Sequence, residues 1–176
     1  MAHALTASGE VGLRELALRG DEAAFEALIG PLVEPAIRLA YSMLGDRWEA
    51  EDAVQEAATR AWRKLHQLRP GMPVRPWFFA IVVNHCRNVR RTRWFTTIRI
   101  PGFFGGQPEP DLDKVDLERA LGRLRAADRQ ALFLHFYLDL PVDEVATALG
   151  ISSSAAKARI YRACHRMRRD LGEEDR

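Results

Sequence analysis

Residues 143–163 read DEVATALGISSSAAKARIYRA, a stretch that predicts two short helices joined by a tight turn. The turn centres on Gly150, because glycine readily adopts the left-handed backbone conformation with which a helix can end. Small or branched apolar residues recur at helical spacing on both sides of it: Val145, Ala146, Leu149, Ile151, Ala156 and Ile160. Such side chains let two helices pack closely, so the stretch predicts a helix-turn-helix.

The second helix of this motif, from Ser153 to Leu171, is rich in arginine and is expected to lie in the major groove of DNA. Its first turns offer base contacts from Ser153, Ser154, Lys157 and Arg159. Later arginines suit phosphates, which position a protein without reading sequence: Arg162, Arg166 and Arg169. A plain helical hairpin with a solvated basic face is the simpler alternative, but turn, packing residues and charge together favour DNA binding.

Two further helices precede the motif. Leu117, Leu121 and Leu124 predict one of them. Asp128 is the expected N-cap of the next, which carries Leu132, Phe133, Phe136 and Tyr137. Before them, residues 94–112 are rich in glycine and proline and predict a flexible linker, whose aromatic residues indicate that it docks on a partner.

The N-terminal half predicts three long helices, with apolar residues three or four positions apart. Pro31 predicts a break or kink in the first, near Gly30. Asp46 is the expected N-cap of the second, whose inner stripe is Val54, Ala57, Ala61 and Leu65. Residues 69–76 predict a loop. In the third helix, Trp77 and Phe78 are expected in the core, while Phe79 is open between core and base stacking.

Charge is segregated along the chain. Residues 10–56 contain 11 acidic and 4 basic residues, whereas residues 60–99 contain 10 basic and no acidic residues. A solvated surface usually intersperses the two signs. The segregation therefore indicates that the N-terminal half also presents a basic surface to a polyanion.

Three segments, in order, resemble conserved regions of the extracytoplasmic-function sigma factors of bacterial RNA polymerase. Residues 50–56 (AEDAVQE) and 60–65 (RAWRKL) resemble the region that binds the polymerase clamp. Residues 76–84 (PWFFAIVVN), continuing to Arg91, are similar to the promoter-melting helix, and the loop 69–75 corresponds to the family's base pocket. Residues 143–163 resemble the fourth region, which reads the upstream element.

The resemblance implies three sets of site residues. Polymerase contacts would come from Asp52, Gln55, Glu56, Arg60, Trp62 and Lys64. The downstream promoter element would be contacted by Asn84, Arg87, Asn88, Arg90 and Arg91. The upstream element would be contacted by Ser153, Ser154, Lys157, Arg159, Arg162 and Arg166. The chain departs from the family at Val83, often basic, at Asn88, often acidic, and at Ser153 and Ser154, which bears on the promoter sequence that it prefers.

We therefore expect an all-α protein with two small helical domains joined by a flexible linker. Residues 1–12 would form a tail without fixed structure, residues 13–93 a region 2-like domain, residues 94–112 the linker and residues 113–172 a region 4-like domain. The resemblance implies an alternative sigma factor that binds core RNA polymerase and promoter DNA, acts as a monomer within the holoenzyme, and is open to control by an anti-sigma protein. A cytoplasmic location is expected, without membrane insertion, because no charge-poor apolar run of membrane-spanning length is apparent.

Two other classes of function fit the sequence less well. A stand-alone helix-turn-helix regulator, with a dimerising or sensing N-terminal module, would leave the basic stretch 60–99 without a role. An enzyme is disfavoured because the five histidines share no motif and no phosphate-binding loop or metal-ligand spacing is present. We therefore expect no catalytic residue, no metal and no cofactor. Cys86 and Cys164 lie far apart, and both fit a reducing compartment.

Overall fold

The chain folds into two helical units. A computed structural model describes residues 7–94 and 112–171, and within these ranges every regular element is helical. The units are Met1–Thr92 and Arg93–Arg176. The all-α class with two helical domains is thus confirmed. The predicted linker lies, apart from its ends, outside the described residues, and the predicted domain boundaries stay predictions.

Among its described residues, the N-terminal unit contains four helices: α1 (Ala7–Leu18), α2 (Glu22–Leu44), α3 (Arg47–Lys64) and α4 (Val74–Trp94), with a 3-10 turn at Leu65–Gln67. Asp46 caps α3 as predicted, because its carboxylate accepts a hydrogen bond from the N–H of Glu49 at 2.9 Å. The predicted inner stripe of α3 is buried against the other helices: Val54, Ala57, Ala61 and Leu65. These contacts hold the opposite face of α3 towards solvent.

Helix α1 begins at Ala7, inside the segment 1–12 that was expected to be a tail, so that prediction is wrong for residues 7–12. The helix is held by contacts with residues distant in sequence. Ala17 is buried in the core, and the Glu10 carboxylate accepts a hydrogen bond from the N–H of Val74, 64 positions away. A local sequence pattern carries no sign of such a partner.

Helix α2 runs without a break through Pro31 and Pro35, so of the break or kink predicted near Gly30 the break is wrong. Each proline removes one backbone donor, but α2 buries nine of its residues where it packs on α1 and α3, and burial outweighs the lost hydrogen bonds. Its length and composition would also let it cross a membrane, contrary to the expectation that no such run exists. Its buried face identifies it as the core helix of this unit.

The C-terminal unit contains α5 (Leu112–Arg123), α6 (Ala126–Leu132), α7 (Val142–Leu149) and α8 (Ser153–Asp170). Ala120, Leu124, Ala163 and Met167 form a buried cluster, against which Leu121 and Leu132 pack. A π-helical turn, Phe133–Tyr137, follows α6. Helices α6 and α7 both pack on α8, which leaves the remaining face of α8 exposed.

Candidate functional site

The turn between α7 and α8 has the geometry that its sequence predicts. Gly150 ends α7 in the left-handed conformation, with φ 65°, and the N–H of Ile151 donates to the carbonyl of Ala146 at 3.0 Å. Ser152 then caps α8, because its hydroxyl accepts from the N–H of Ala155 at 3.2 Å. The predicted packing residues Val145, Ala146, Leu149, Ala156 and Ile160 are buried, and Ile151 is half-buried. This is the predicted helix-turn-helix.

The exposed face of α8 begins at its first turn. Ser153, Ser154 and Lys157 are exposed, whereas Arg159 is half-buried. Residues two apart in a helix are separated by about 200° around its axis, so Lys157 and Arg159 do not share a face. Tyr161 lies one turn after Lys157 on the same side and is 70% exposed. Tyr161 was not among the predicted DNA contacts, although its spacing of four residues from Lys157 signals a shared face.

Arg162, predicted to contact phosphate, is bound within the protein. Its Nη2 donates to Oδ1 of Asp128 at 3.1 Å, and Asp128 is buried. The prediction that Asp128 caps the helix is wrong. Helix α6 begins at Ala126 without a side-chain cap, and Asp128 lies inside its first turn. Asp128 and Arg162 therefore form an ion pair that joins α6 to α8.

A basic cleft surrounds this ion pair. It is lined by Arg125, Asp128, Tyr161, Arg162, His165, Arg166 and Arg169. Four arginines and a single carboxylate give it a positive charge that suits a phosphate backbone. Arg125 was not among the predicted site residues, because it reaches the cleft through the packing of α6 on α8, a contact that no local pattern predicts.

The residues predicted on α3 divide into an exposed group and a half-buried group. Asp52, Gln55 and Lys64 are exposed, while Glu56, Arg60 and Trp62 are half-buried. Helical spacing places Asp52, Gln55 and Glu56 on one face. Arg63, which the sequence analysis passed over, is exposed and extends that face, seven residues after Glu56.

Three of the predicted α3 residues have partners inside the unit. The Arg60 guanidinium lies 2.9 Å from Oε1 of Glu56 and holds the pKa of that carboxyl below its usual range. The indole of Trp62 meets the ring of Phe25 edge to face, with 5.0 Å between ring centroids. Trp62 is thus turned towards α2 rather than towards solvent.

Helix α4 brings most of its predicted residues together. Asn84, Arg87, Asn88 and Arg91 follow one another at intervals of three, one and three residues, and so share one face. Asn84, Asn88 and Arg91 are exposed, and Arg87 is half-buried. Arg90 is exposed on the flank of this face.

The aromatic residues of α4 differ in part from the prediction. Phe79, for which the sequence predicts either a core position or base stacking, is fully buried together with Phe78. Trp77, which was expected in the core, is only half-buried. It lies seven residues before Asn84, two helical turns away on the same face. Trp77 is therefore an aromatic side chain on the same face as the predicted DNA contacts, two turns before Asn84.

His85 on α4 interacts electrostatically with charged side chains of α3. Burial lowers the pKa of its imidazole below the usual range, and the Arg60 guanidinium lowers it further, while Glu56 and Asp52 act in the opposite direction. Burial and the Arg60 guanidinium therefore both favour the neutral form of the His85 imidazole.

The loop before α4 is a tight turn with an exposed tip. The carbonyl of Arg69 accepts from the N–H of Met72 at 3.1 Å, and Gly71 has φ 78°. With Pro70 ahead of it, this arrangement is typical of a type II turn. Residues 69–72 are all exposed, so the turn presents its tip to solvent at the N-terminus of α4.

Comparison with known proteins finds a family match for each of the two units. Residues 28–96 match the family model described as Sigma-70 region 2, and residues 114–167 match the one described as Sigma-70, region 4. ECF RNA polymerase sigma factor SigL of Mycobacterium tuberculosis is 31% identical over 145 residues, which cover 77% of this chain and 82% of SigL. RNA polymerase sigma factor SigV of Bacillus subtilis is 30% identical over 142 residues, which cover 78% and 85%.

Solved structures agree with this assignment. The sigma factor RpoE of Bartonella quintana, solved with the anti-sigma factor NepR, is 28% identical with a TM-score of 0.67, over 82% of this chain and 94% of RpoE. CnrH, solved with the cytosolic domain of CnrY, has a TM-score of 0.72 over 95% of this chain and 99% of CnrH. It is 24% identical and supports the fold alone.

The two matches occur in the order and on the units that the sequence motifs predict. A stand-alone helix-turn-helix regulator would account for the region 4 match but not for the region 2 match. The chain belongs to the extracytoplasmic-function sigma factors, the alternative sigma factors that direct bacterial RNA polymerase to the promoters where transcription begins.

Proposed function

We propose that the N-terminal unit binds core RNA polymerase through the exposed face of α3. Asp52 and Gln55 form the centre of this surface, with Glu56 beside them and Arg63 at its end. Charged and amide groups at one-turn spacing on a rigid helix can set both the orientation and the partner of such an interface. The protein would act without catalysing a reaction, in the bacterial cytoplasm where RNA polymerase works.

Helix α4 then opens the downstream element, and the exposed tip of the loop before it, residues 69–72, receives an unstacked base. Its exposed face carries the amides of Asn84 and Asn88 and the guanidinium of Arg91, and the helix contains no acidic residue. Amides can bind the edge of an unstacked base, arginines can bind its phosphates, and the half-buried ring of Trp77 offers a stacking surface. One observation carries the proposal: within one unit, the exposed face of α3 has acidic and amide side chains at its centre, whereas the exposed face of α4 has amide and cationic side chains.

Helix α8 reads the upstream element. Ser153, Ser154 and Lys157 lie on its exposed first turns, the part of a recognition helix that meets base edges. Arg166 and the basic cleft around it bind phosphates. Arg162 contributes to this surface chiefly by holding α8 on α6 through Asp128.

An anti-sigma protein is the regulator that the relatives suggest. RpoE of Bartonella quintana was solved with the anti-sigma factor NepR, and its fold is shared with this chain. We propose that a partner of this class restrains the protein by covering the same exposed helix faces. Covered faces cannot reach polymerase or DNA, so release of the partner would start transcription.

Replacing Asp52 and Gln55 together by alanine tests the polymerase interface. Both are exposed, so the fold should be unchanged, while affinity for core polymerase should fall about tenfold or more. Affinity is measured by fluorescence anisotropy of the labelled protein against core polymerase, and thermal unfolding checks the fold. Glu26→Ala, exposed on α2, is the control. Unchanged affinity of the double variant would exclude this face as the interface.

Replacing Lys157 by alanine tests upstream recognition. Transcription should fall on promoters that depend on the upstream element and stay the same on promoters without it. Arg159→Ala is expected to have the smaller effect on base preference, since Arg159 is half-buried away from the face of Lys157. An equal loss on both kinds of promoter would point to a folding defect and against direct readout.

A further inference from the structure

Two charged side chains of α1 hold the segment that precedes α4. A carboxylate oxygen of Glu10 accepts a hydrogen bond from the backbone N–H of Val74 at 2.8 Å. The Arg14 guanidinium donates to the carbonyl of Arg69 at 3.1 Å and also to the carbonyl of Leu68. Glu10 and Arg14 are four residues apart and therefore share one face of α1.

The contact of Glu10 fixes the start of α4. Val74 is the first residue of that helix, and its N–H has no partner within the helix. Glu10 supplies, from another helix, the acceptor that a capping side chain usually supplies. Its negative charge is also favoured beside the positive end of the helix dipole.

The contacts of Arg14 fix the other end of the loop. The carbonyl of Arg69 accepts both from Arg14 and from the N–H of Met72, which closes the tight turn. Arg14 is 55 positions from Arg69, so this clamp is tertiary rather than local. The exposed tip, residues 69–72, is thereby flanked by attachments to α1, at Arg69 on one side and at Val74, two residues past the tip, on the other.

A clamped loop has a consequence for base capture. A loop that is free to move must lose conformational entropy when it closes around a base, whereas a loop ordered during folding does not lose it at that step. Preordering also keeps the polar groups of the tip in one geometry, on which discrimination between bases depends.

We infer that Glu10 and Arg14 are positioning residues for promoter opening. They hold the exposed loop 69–72 in the conformation that receives an unstacked base of the downstream element. This inference rests on the proposed function of the loop and extends it to α1, outside the residues 28–96 matched by region 2. Base preference at one promoter position then depends on two side chains that themselves contact only protein.

The test uses the full chain with core polymerase and a promoter library randomised in both elements. Glu10→Ala and Arg14→Ala should each lower the preference for the best base at the captured position about tenfold, within the range that one base pair contributes to specificity. Preferences within the upstream element should not change. Glu10→Gln keeps an acceptor oxygen for the Val74 N–H and should retain most of the preference. Glu15→Ala, exposed on the same helix, is the matched control.

Hydrogen exchange gives a second measurement that does not depend on transcription. The Val74 amide should exchange faster in Glu10→Ala than in the parent, while amides in the middle of α2 keep their protection. An unchanged rate at Val74 would contradict the clamp. Loss of protection throughout the unit, with equal loss of transcription at every promoter sequence, would assign these residues to folding alone and overturn the inference.

Met72→Ala distinguishes failure of this inference from failure of the loop's proposed function. If Met72→Ala and both α1 variants leave the preference at every position unchanged, the loop does not capture a base. If Met72→Ala changes the preference at one position while Glu10→Ala and Arg14→Ala do not, the loop keeps its role and the positioning role of α1 is wrong.

Discussion

At the scale of single residues, the Asp128–Arg162 ion pair lies where the sequence predicted DNA contact. The side chain of Asp128 is 11% exposed and that of Arg162 is 56% exposed. A carboxylate buried to this degree loses most of its hydration, and a paired cation offsets the loss. Arg162 therefore stabilises the α6–α8 contact, while its exposed part adds to the positive charge of the cleft.

A double-mutant cycle tests this role. Arg162→Ala should lower the free energy of unfolding of the C-terminal unit by about 1–2 kcal/mol, because it leaves Asp128 buried without a cation. Coupling between Arg162→Ala and Asp128→Ala should be about 1 kcal/mol. Both are measured in the full chain by hydrogen exchange of α8 amides, with Arg168→Ala, exposed at the end of α8, as the control. Additive effects would mean that the pair contributes no coupling.

The two cysteines should differ sharply in reactivity. Burial raises the pKa of the Cys86 thiol to about 12, so at pH 8 only about one molecule in ten thousand carries the reactive thiolate. Cys164 is only half-buried. Iodoacetamide at pH 8, followed by mass spectrometry, should modify Cys164 in the native chain and Cys86 only after unfolding. Equal rates at the two thiols would contradict the buried position of Cys86.

Residue roles were predictable from sequence where the deciding partner is local. Ser152 and Asp46 cap the helices that follow them by accepting a hydrogen bond from the N–H three residues ahead, and both positions can be read from the chain. Asp128 finds its partner 34 positions away, and the sequence analysis accordingly misassigned it. The burial of Trp77 and Phe79 was harder to predict, because nearby positions in one helix differ in burial according to how the surrounding helices pack against them.

At the scale of elements, α2 is a continuous helix although it contains two prolines. Pro31 is exposed and lacks the N–H that would bond the carbonyl of Ala27. Burial of the opposite face, rather than the local backbone, therefore maintains this helix.

Pro31→Ala should restore one backbone hydrogen bond and raise the free energy of unfolding of the N-terminal unit by about 1–3 kcal/mol. This free energy is measured by urea unfolding monitored by tryptophan fluorescence, since Trp48, Trp62 and Trp77 all lie in this unit. Glu26→Ala, also exposed on α2, should change stability by less than about 0.5 kcal/mol. A lower stability in Pro31→Ala would mean that the proline fits a bend which the unit requires.

Most element boundaries followed from sequence because helical periodicity and capping residues are local signals. Helices α3, α7 and α8 begin and end within about two residues of the prediction. Two elements could not be predicted in this way. Helix α1 depends on Glu10 and Arg14 finding the loop before α4. The π-helical turn depends on N–H donors of Leu138 and Leu140 reaching carbonyls of Phe133 and Leu134.

At the scale of the whole molecule, promoter choice requires both units to act on one DNA. Each small interface alone should bind weakly and with strong salt dependence, and two linked sites gain from their effective concentration. That gain exists only if the spacing of the two promoter elements lets both units engage together.

Lengthening the DNA between the elements by about five base pairs turns one element by half a helical turn relative to the other. Transcription should then fall to the level obtained from the downstream element alone. Transcription assays on matched templates measure it, with a spacer of the original length but altered sequence as the control. Equal transcription from both spacings would mean that the units act independently.

The central claim is tested most directly by run-off transcription with purified bacterial core polymerase, with and without this protein, on a library of promoter fragments. The account predicts initiation from a defined subset of fragments that share two elements at fixed spacing, and only when the protein is added. The absence of initiation on every fragment, together with failure of the protein to co-elute with core polymerase, would contradict it.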